Sequence, residues 1–373
     1  MYVRTLKIED FRNIEKVDLS FSEGLNILYG ANAQGKSNTV ESIKLCLSGN
    51  STREKKRENF LPFDTAQCRI IAQVVSEDEI HNVEMLLTKE KKQCMIDDEP
   101  VRKRQELLRS FCVVLFTPDD VLLVKGTPSK RRDYMNEAIS LLELKYYGLF
   151  IQYNKILKQR NALLRTSFDT SSQTLLSVYD EKISKVGASI IFYRLKFLKA
   201  LNGIAQKRYQ TLCAGKENFS LSYISNVLYS TDISDIASVY LQKLRDARNE
   251  DVRRKSTTVG IHHDDIGLFL NEKAVKNFAS QGQMRSVALS LKLSVIDLYQ
   301  EKFSEKPIVI LDDVLSELDE QRKDLLLSSL CKHQTFITSA NKADFKNAQN
   351  AHVFYVKNGV IKEYTDNAKQ LKL

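Results

Sequence analysis

Tryptophan is absent from the 373 residues, and glycine (13) and proline (5) are scarce. Disordered and fibrous chains are rich in those two, so a folded, element-rich protein is expected. No apolar run reaches the roughly 18 residues that span a bilayer. The opening "MYVRTLKIED" lacks the apolar stretch of a signal peptide. These two absences lead us to expect no membrane segment and a cytoplasmic location. The cysteines Cys46, Cys68, Cys94, Cys112, Cys213 and Cys331 include no CxxC pair. Their scatter argues against a zinc site and for reduced thiols.

What is present points elsewhere. The chain is 43% hydrophobic and 28% charged, enough for a large core and two or more lobes. Its net charge of +9 favours polyanionic partners. The most informative stretch is "LNILYGANAQGKSNTVESIKLCL". Leu25 to Tyr29 reads as a short apolar strand, and Val40, Ile43, Leu45 and Leu47 supply the apolar positions of a following helix. Between them Gly30, Ala31, Asn32, Ala33, Gln34, Gly35, Lys36 and Ser37 fit G-x-x-x-x-G-K-[ST], with Asn38 next. Strand, loop and helix are the context this phosphate-binding loop requires. The two glycines let successive N–H groups curl toward phosphate oxygens. Lys36 is expected at the β- and γ-phosphates and Ser37 on Mg²⁺. The loop alone leaves ATP and GTP both open.

A second segment, "KPIVILDDVLSELD", has the continuous apolar run of a buried parallel strand, Ile308 to Leu311, ending in Asp312 and Asp313. Beside a phosphate loop, Asp312 is expected to hold Mg²⁺ through water, and Asp313 to orient or deprotonate the attacking water. Lys36 and Asp313 are thus the candidate catalytic pair. Asp313 is one methylene shorter than Glu, so slow hydrolysis is expected. "SELD" begins another helix, and "TFITS" (Thr335 to Ser339) is a further strand. Before them, "FASQGQMRS" places Ser280, Gly282 and Gln283 ahead of a helix read as Met284 to Tyr299. A helix start suits an anion, and it equally suits a plain Ser280 cap.

This order of motifs occurs in ABC-type ATPases, whose signature motif is a Ser-x-Gly-Gln turn. The N-terminal "MYVRTLKIEDFRNIEKVDLSFSEGLNILYGANAQGKSN" resembles the heads of the RecF/SMC group of DNA-maintenance ATPases, which open with a strand and F-[RK]-[NS]. Within that group, four segments resemble the RecF family over nearly the whole chain. They are "FTPDDVLLVKGTPSKRRDYMNEAIS", "TTVGIHHDDIGLFLN", "FASQGQMRSVALSLKL" and "LDDVLSELD". The resemblance implies an α/β fold: an ABC-type P-loop ATPase head from residues 1–130 and 256–373, with an inserted helical lobe at 131–255. It adds Arg12 and Asn13 to the nucleotide site. It implies that Ser280, Gly282 and Gln283 face the γ-phosphate held by a second subunit, so that ATP bridges a homodimer.

The resemblance further implies sequence-independent binding of duplex and single-stranded DNA. Recombinational gap repair with RecO and RecR, which helps load RecA, and a slow ATPase used as a switch are implied too. Ile261 and His263 depart from the family's Pro and Arg. Ser339, Ala340 and Asn341 stand where transporter ATPases carry a histidine, and Asp119 or Asp120 takes the place of the metal-sensing glutamine.

Between the two halves the pattern turns helical. Met135, Ile139, Leu142, Tyr146, Leu149, Tyr153 and Ile156 step by three and four. So do Tyr179, Ile183, Val186, Ile190, Tyr193, Phe197, Ala200 and Ile204. Two antiparallel helices of roughly 30 residues, joined across "TSFDTSSQT", are expected, with these stripes as core. Arms that short cannot tether distant DNA. Lys155, Lys158, Arg160, Arg165, Lys196, Lys199, Lys207 and Arg208, with "KLRDARNEDVRRK", suggest a DNA-facing surface. His262 and His263 have no third ligand in view, so a turn role is expected. Two rival readings remain: a transporter-energising ABC ATPase, and a short SMC-like or nuclease-associated ATPase. The F-R-N opening argues against the first, and the few residues after "VFYVKNGVIKEYTDN" against the second.

Overall fold

The structure is a computed structural model describing residues 1–51, 53–54, 56–166, 170–213, 217–230, 232–345, 348 and 350–364. It opens with β1 (Tyr2–Phe11), β2 (Ile14–Ser20), β3 (Leu25–Tyr29) and α1 (Lys36–Ser48). Next come β4 (Gln67–Ser76), β5 (Glu79–Thr88), β6 (Lys92–Ile96), β7 (Glu99–Pro100), α2 (Arg104–Ser110) and β8 (Val113–Phe116). The middle runs through α3 (Leu122–Lys125), α4 (Pro128–Leu142), α5 (Leu144–Leu163), α6 (Thr170–Leu212) and β9 (Phe219–Ile224). It continues with α7 (Ile233–Asp246), α8 (Arg248–Arg254), β10 (Asp265–Leu270), β11 (Lys273–Ala274), α9 (Val275–Phe278) and α10 (Gln281–Phe303). The last elements are β12 (Ile308–Asp312), α11 (Glu320–Leu330), β13 (Thr335–Ser339), β14 (His352–Lys357) and β15 (Val360–Glu363).

Two compact units result, residues 1–120 with 299–373, and residues 121–298. In the first, an antiparallel sheet has the order β2-β1-β4-β5-β6-β7, and a second sheet the order β15-β14-β3-β13-β12-β8. All pairs of the second sheet are parallel except β14–β15. Every residue of β12 and β13 is buried, which explains the apolar run Ile308–Leu311 of β12, while β13 buries the hydroxyls of Thr335, Thr338 and Ser339 as well as Phe336 and Ile337. β4 instead alternates, burying Cys68, Ile70, Ala72 and Val74. One core gathers Val40, Ile43 and Leu47 of α1 with residues of both sheets, such as Ile8, Ile70, Leu28 and Ile310. The phosphate-loop helix is thus packed from two sides. Four of the cysteines lie buried as free thiols, and Cys46 is pushed well above its usual range by burial.

The second unit is mostly helical, with a small sheet β11-β10-β9. It takes in residues 256–298, which the sequence reading assigns to the head. The reason is electrostatic as well as topological. β10 pairs with β9, Arg131 forms a two-pronged bridge to Asp265 (2.6 and 2.8 Å), and Arg194 reaches Asp264 at 2.7 Å. The expected pair of equal helices is also corrected. The first breaks at Glu143, whose extended backbone separates α4 from α5, and the second grows to 43 residues. The break keeps the apolar stripe in step, burying Met135, Ile139, Leu142, Tyr146, Tyr153 and Ile156, so spacing alone cannot show it. On α6, Ala200 is exposed while Leu201 and Ala205 are buried. Residues 167–169 of the expected turn lie outside the described residues.

The lobe's interior holds charge. Arg160, fully buried, bonds Asp180 at 2.8 Å and Asp251 and Thr257 at 2.7 Å each. Arg194 bonds Asp264, Tyr146, Asn136 and the Ile261 carbonyl. Arg160 is thus an internal strut, as is Arg208 through its bridge to Asp297, so neither belongs to a free basic face. His262 sits between the Tyr153 hydroxyl (2.8 Å) and the Thr257 carbonyl (3.0 Å), and burial lowers its pKa to about 4. It is a neutral turn residue. Removing one partner of such a pair strands the other in low dielectric. Asp264→Ala, which leaves Arg194 uncompensated, should cost about 3–5 kcal/mol. Chemical denaturation followed by far-UV circular dichroism checks this; an unchanged midpoint would contradict it.

Candidate nucleotide-binding site

Strand register builds the site. Ser339 pairs with Tyr29 and Asp312 with Thr338, so β3, β13 and β12 end at one level. In an open parallel sheet, ligands gather at the carboxyl ends of the strands. The loops leaving these three line one open cavity of about 690 Å³. Its floor is Asn32 to Asn38 of the phosphate loop. Asn13, Arg53 and Pro118 form one side, and Asp313, Ser316, Glu317, Ala340, Asn341 and Asp344 the other.

The loop's shape follows from its glycines. Gly35 has φ +114 and stands at the start of α1 with no side-chain cap, and no acidic residue lies in the first helical turn. The first N–H groups of α1 are left for an anion. At Gly30 a Cβ would come 2.2 Å from the Val356 carbonyl oxygen, so only glycine fits there. The turn between β14 and β15 holds the loop from outside. Gly359 N donates to the Gln34 carbonyl (2.9 Å), and Asn358 N to Gln34 Oε1 (2.7 Å). Asn38 donates to Asn13 Oδ1 at 2.7 Å. Lys36 is only 3% exposed and donates to the carbonyls of Gly30 and Ala31, both at 2.8 Å. Burial lowers its pKa, against the pull of Asp313 and Asp312.

A hydroxyl organises the carboxylates. Thr338 Oγ1 accepts from Asp313 N (2.9 Å) and donates to Asp312 Oδ1 (2.8 Å). Asp312 is 6% exposed, and its Oδ2 lies 4.0 Å from Arg53 Nη1. Asp313 turns into the cavity with φ 55, a left-handed conformation that Asp tolerates better than most residues. Burial raises the Asp313 pKa, and the charge of Asp312 adds to the rise. That is the direction expected for a residue that takes up a proton. Neither carboxylate caps the next helix; Asp319 does, accepting from Arg322 N at 2.8 Å.

Other sequence candidates fall differently. Asn13 lines the cavity, while Arg12 is turned into a bridge with Glu41 (2.9 Å) and stacks over Phe60. Asp119 and Asp120 do not line it; Asp120 closes a local turn by accepting from Thr117 N, and Pro118 lines the cavity instead. Ser280, Gly282 and Gln283 belong to the second unit. There α10 begins at Gln281, three residues before the expected start, and runs four past the expected end. Ser280 Oγ accepts from Gln283 N (3.3 Å) and Gln283 Oε1 from Ser280 N (2.7 Å), a reciprocal capping box. Accepting leaves the Ser280 hydroxyl proton able to donate outward, so the cap does not by itself exclude an anion there. Phe278, two residues ahead, is 71% exposed. Arg53, Thr338 and Asp344 carry no spacing signature, and sequence reasoning missed them. Asp344 is held by Lys323 (3.0 Å) and Ser339 (2.6 Å).

Comparison with known proteins agrees with this geometry. The family model of the RecF/RecN/SMC N terminal domain matches residues 2–362. The chain is 38% identical to the DNA replication and repair protein RecF of Clostridioides difficile, covering 97% of this chain and 98% of that one. It is 36% identical to RecF of Clostridium acetobutylicum, covering 98% and 100%. Among solved structures, the recombination mediator protein RecF-ATPrS in the RecFOR pathway superposes with a TM-score of 0.90 at 31% identity, covering 98% of each chain. An Smc head domain from Pyrococcus furiosus, at 15% identity and a TM-score of 0.57, shares the fold.

Two substitutions test the site. Lys36→Ala removes the one loop cation, and a fluorescent ATP analogue should then bind at least tenfold more weakly in equilibrium titration; unchanged affinity would refute the assignment. Asp313→Asn keeps shape and removes the carboxylate expected to accept the water proton. ATP binding should persist while turnover falls on the order of a hundredfold. Because Asp313 is raised, wild-type turnover should fail on acidification above the pH at which an ordinary carboxylate protonates. A pH–rate profile that loses this acid limb in Asp313→Asn supports the role.

Proposed function

The chain belongs to the RecF family of DNA replication and repair proteins, and on that premise we propose that it is an ATP-switched DNA-binding protein of recombinational gap repair. The observation that carries the reading is the cavity into which the phosphate loop and Asp313 both open, with Asp312 behind it. ATP phosphates would lie on the N–H groups from Ala33 to Ser37. Lys36 would exchange the carbonyls of Gly30 and Ala31 for β- and γ-oxygens. Mg²⁺ fits the donors present, the Ser37 hydroxyl and the Asp312 carboxylate, both hard oxygens. Among the described residues no group of three or more His, Cys, Asp or Glu could cage a metal. That suits an ion taking most of its shell from phosphate and water. When bound, Mg²⁺ offsets charge on the phosphates. Asp313 then orients the water and accepts its proton, and its short side chain supports slow hydrolysis, a switch rather than a motor.

The capped turn at Ser280 supports a second role. With Ser280 exposed and Phe278 beside it in solvent, the turn is suited to another chain's γ-phosphate and the surface around it. ATP would thus close two copies, and hydrolysis would release them. The net charge of +9 supports backbone binding of duplex and single-stranded DNA without sequence readout. The RecFOR pathway of the superposed relative supports action with RecO and RecR toward loading RecA. No described helix is long and apolar enough to cross a membrane.

Sedimentation with a slowly hydrolysed ATP analogue tests this. Wild type should be monomeric without nucleotide or with ADP, and dimeric with the analogue. Ser280→Arg fills the anion position and should abolish the dimer while leaving monomer ATP binding within about twofold. Gel shifts on gapped DNA should weaken with it, because a dimer binds with two surfaces at once. A wild type that stays monomeric with the analogue at tens of micromolar would contradict the reading.

A further inference from the structure

Glu217, which no motif singles out, joins the signature turn to the end of the longest helix. Its Oε1 accepts from Gln283 Nε2 at 2.6 Å and its Oε2 from the Tyr209 hydroxyl at 2.6 Å. Tyr209 is fully buried in the last turn of α6, against the Phe219 ring at 5.5 Å. The preceding residue, Arg208, grips Asp297 of α10 through two bonds, at 2.7 and 2.5 Å. The last turn of α6 is therefore bonded to α10 at its beginning and again further along.

The chemistry of the Gln283 amide gives this a consequence. An amide has a donor end and an acceptor end, and an ionised carboxylate only accepts. Glu217 therefore requires Nε2 to face it, which turns Oε1 toward Ser280 N. The reciprocal cap forms in that one orientation. Tyr209, its pKa raised by burial, keeps its proton and donates to the other carboxylate oxygen. Both oxygens are thus held, and the amide has a fixed reference.

We propose that Glu217 is a positioning residue for the signature turn: it sets the Gln283 amide, and through it holds Ser280 and the first N–H groups of α10 in the arrangement that takes a partner's γ-phosphate. The chain Tyr209–Glu217–Gln283 then ties that arrangement to α6, so a force on the lobe's long helix reaches the turn. This rests on the ATP-bridged dimer described above.

The test uses Glu217→Ala, Gln283→Glu and the exchanged pair Glu217→Gln with Gln283→Glu. Each is assayed by sedimentation with the slowly hydrolysed ATP analogue, by monomer ATP binding and by thermal unfolding. Glu217→Ala should raise the protein concentration for half-dimerisation about tenfold, the worth of one charge-assisted hydrogen bond. Gln283→Glu alone sets two carboxylates against each other and should weaken the dimer at least as much. The exchanged pair restores one donor facing one acceptor, while its carboxylate now stands nearer the γ-phosphate, so dimerisation should recover above Gln283→Glu alone without reaching wild type. Monomer ATP affinity should stay constant throughout, and recovery in the exchanged pair is something a merely structural loss would not produce. A dimer of Glu217→Ala as tight as wild type overturns the proposal alone, as does a folded exchanged pair that fails to recover. A wild type that never dimerises overturns the dimer reading and this proposal with it.

Discussion

Strand β13 sits between β3 and β12, and its parallel register is what the nucleotide site depends on. Hydrogen bonds on one side set Ser339 level with Tyr29, and on the other set Thr338 level with Asp312. A slip of one residue would turn every side chain of β13 to the opposite face. Thr338 would then leave the carboxylates, and the bridge from its hydroxyl to Asp312 Oδ1 and Asp313 N would be lost. Such a slip is opposed from both faces, because all five residues of β13 are buried. The phosphate loop and the carboxylates stand nearly 280 residues apart in sequence. Their juxtaposition is a property of this ladder, and no local segment holds it.

Much of that was legible before any coordinates. Leu25–Tyr29, Thr335–Ser339 and the run ending at Asp312 are strands where the sequence places them; Ile308–Leu311 is the plainest, because a strand buried on both faces reads as a continuous hydrophobic run. The phosphate loop is legible because its glycines answer backbone demands that no other residue meets. Arg12 illustrates what is not. Its place in F-R-N suggests the nucleotide, yet Glu41, one turn into α1, captures it, and a pair between the turn after β1 and α1 leaves no trace in spacing. Arg53 reaches the cavity from a loop and Asp344 from a single 3-10 turn, segments too short to show periodicity. Glu143 breaks a helix while keeping the stripe in phase, so the period that finds helices is blind to it.

The lobe shows a different logic from the head. The head's core is aliphatic and aromatic, with α1 gripped between sheets. The lobe carries Arg160, Arg194, Asp180, Asp251 and Asp264 at no more than 1% exposure. Buried pairs of this kind add little net stability, since desolvation offsets most of the Coulomb gain. What they supply is direction. A guanidinium with a carboxylate on each side accepts few alternative packings, whereas a leucine accepts many. The segment Thr257–Asp265 is threaded through this network, its Thr257, Asp264 and Asp265 each bonded to an arginine. His262 and His263 both lie beside the Thr257 carbonyl in the same network.

The switch proposed above rests on groups that each unit already holds in place. In the head, Lys36 occupies its own loop's carbonyls, so phosphate binding is an exchange of hydrogen bonds and not the creation of new ones; its affinity must come from the added charge and from the N–H groups of α1. In the lobe, the start of α10 is already closed by Ser280 and Gln283, so the conformational entropy of that turn is lost before anything binds. A rigid turn and a cation that must be displaced suit a switch. In the proposed dimer, binding would be modest until both halves meet one γ-phosphate, and loss of that single group would remove the connection between them. The exposed ring of Phe278 fits the same picture, since an aromatic left in solvent beside the turn gains burial only when a second surface arrives.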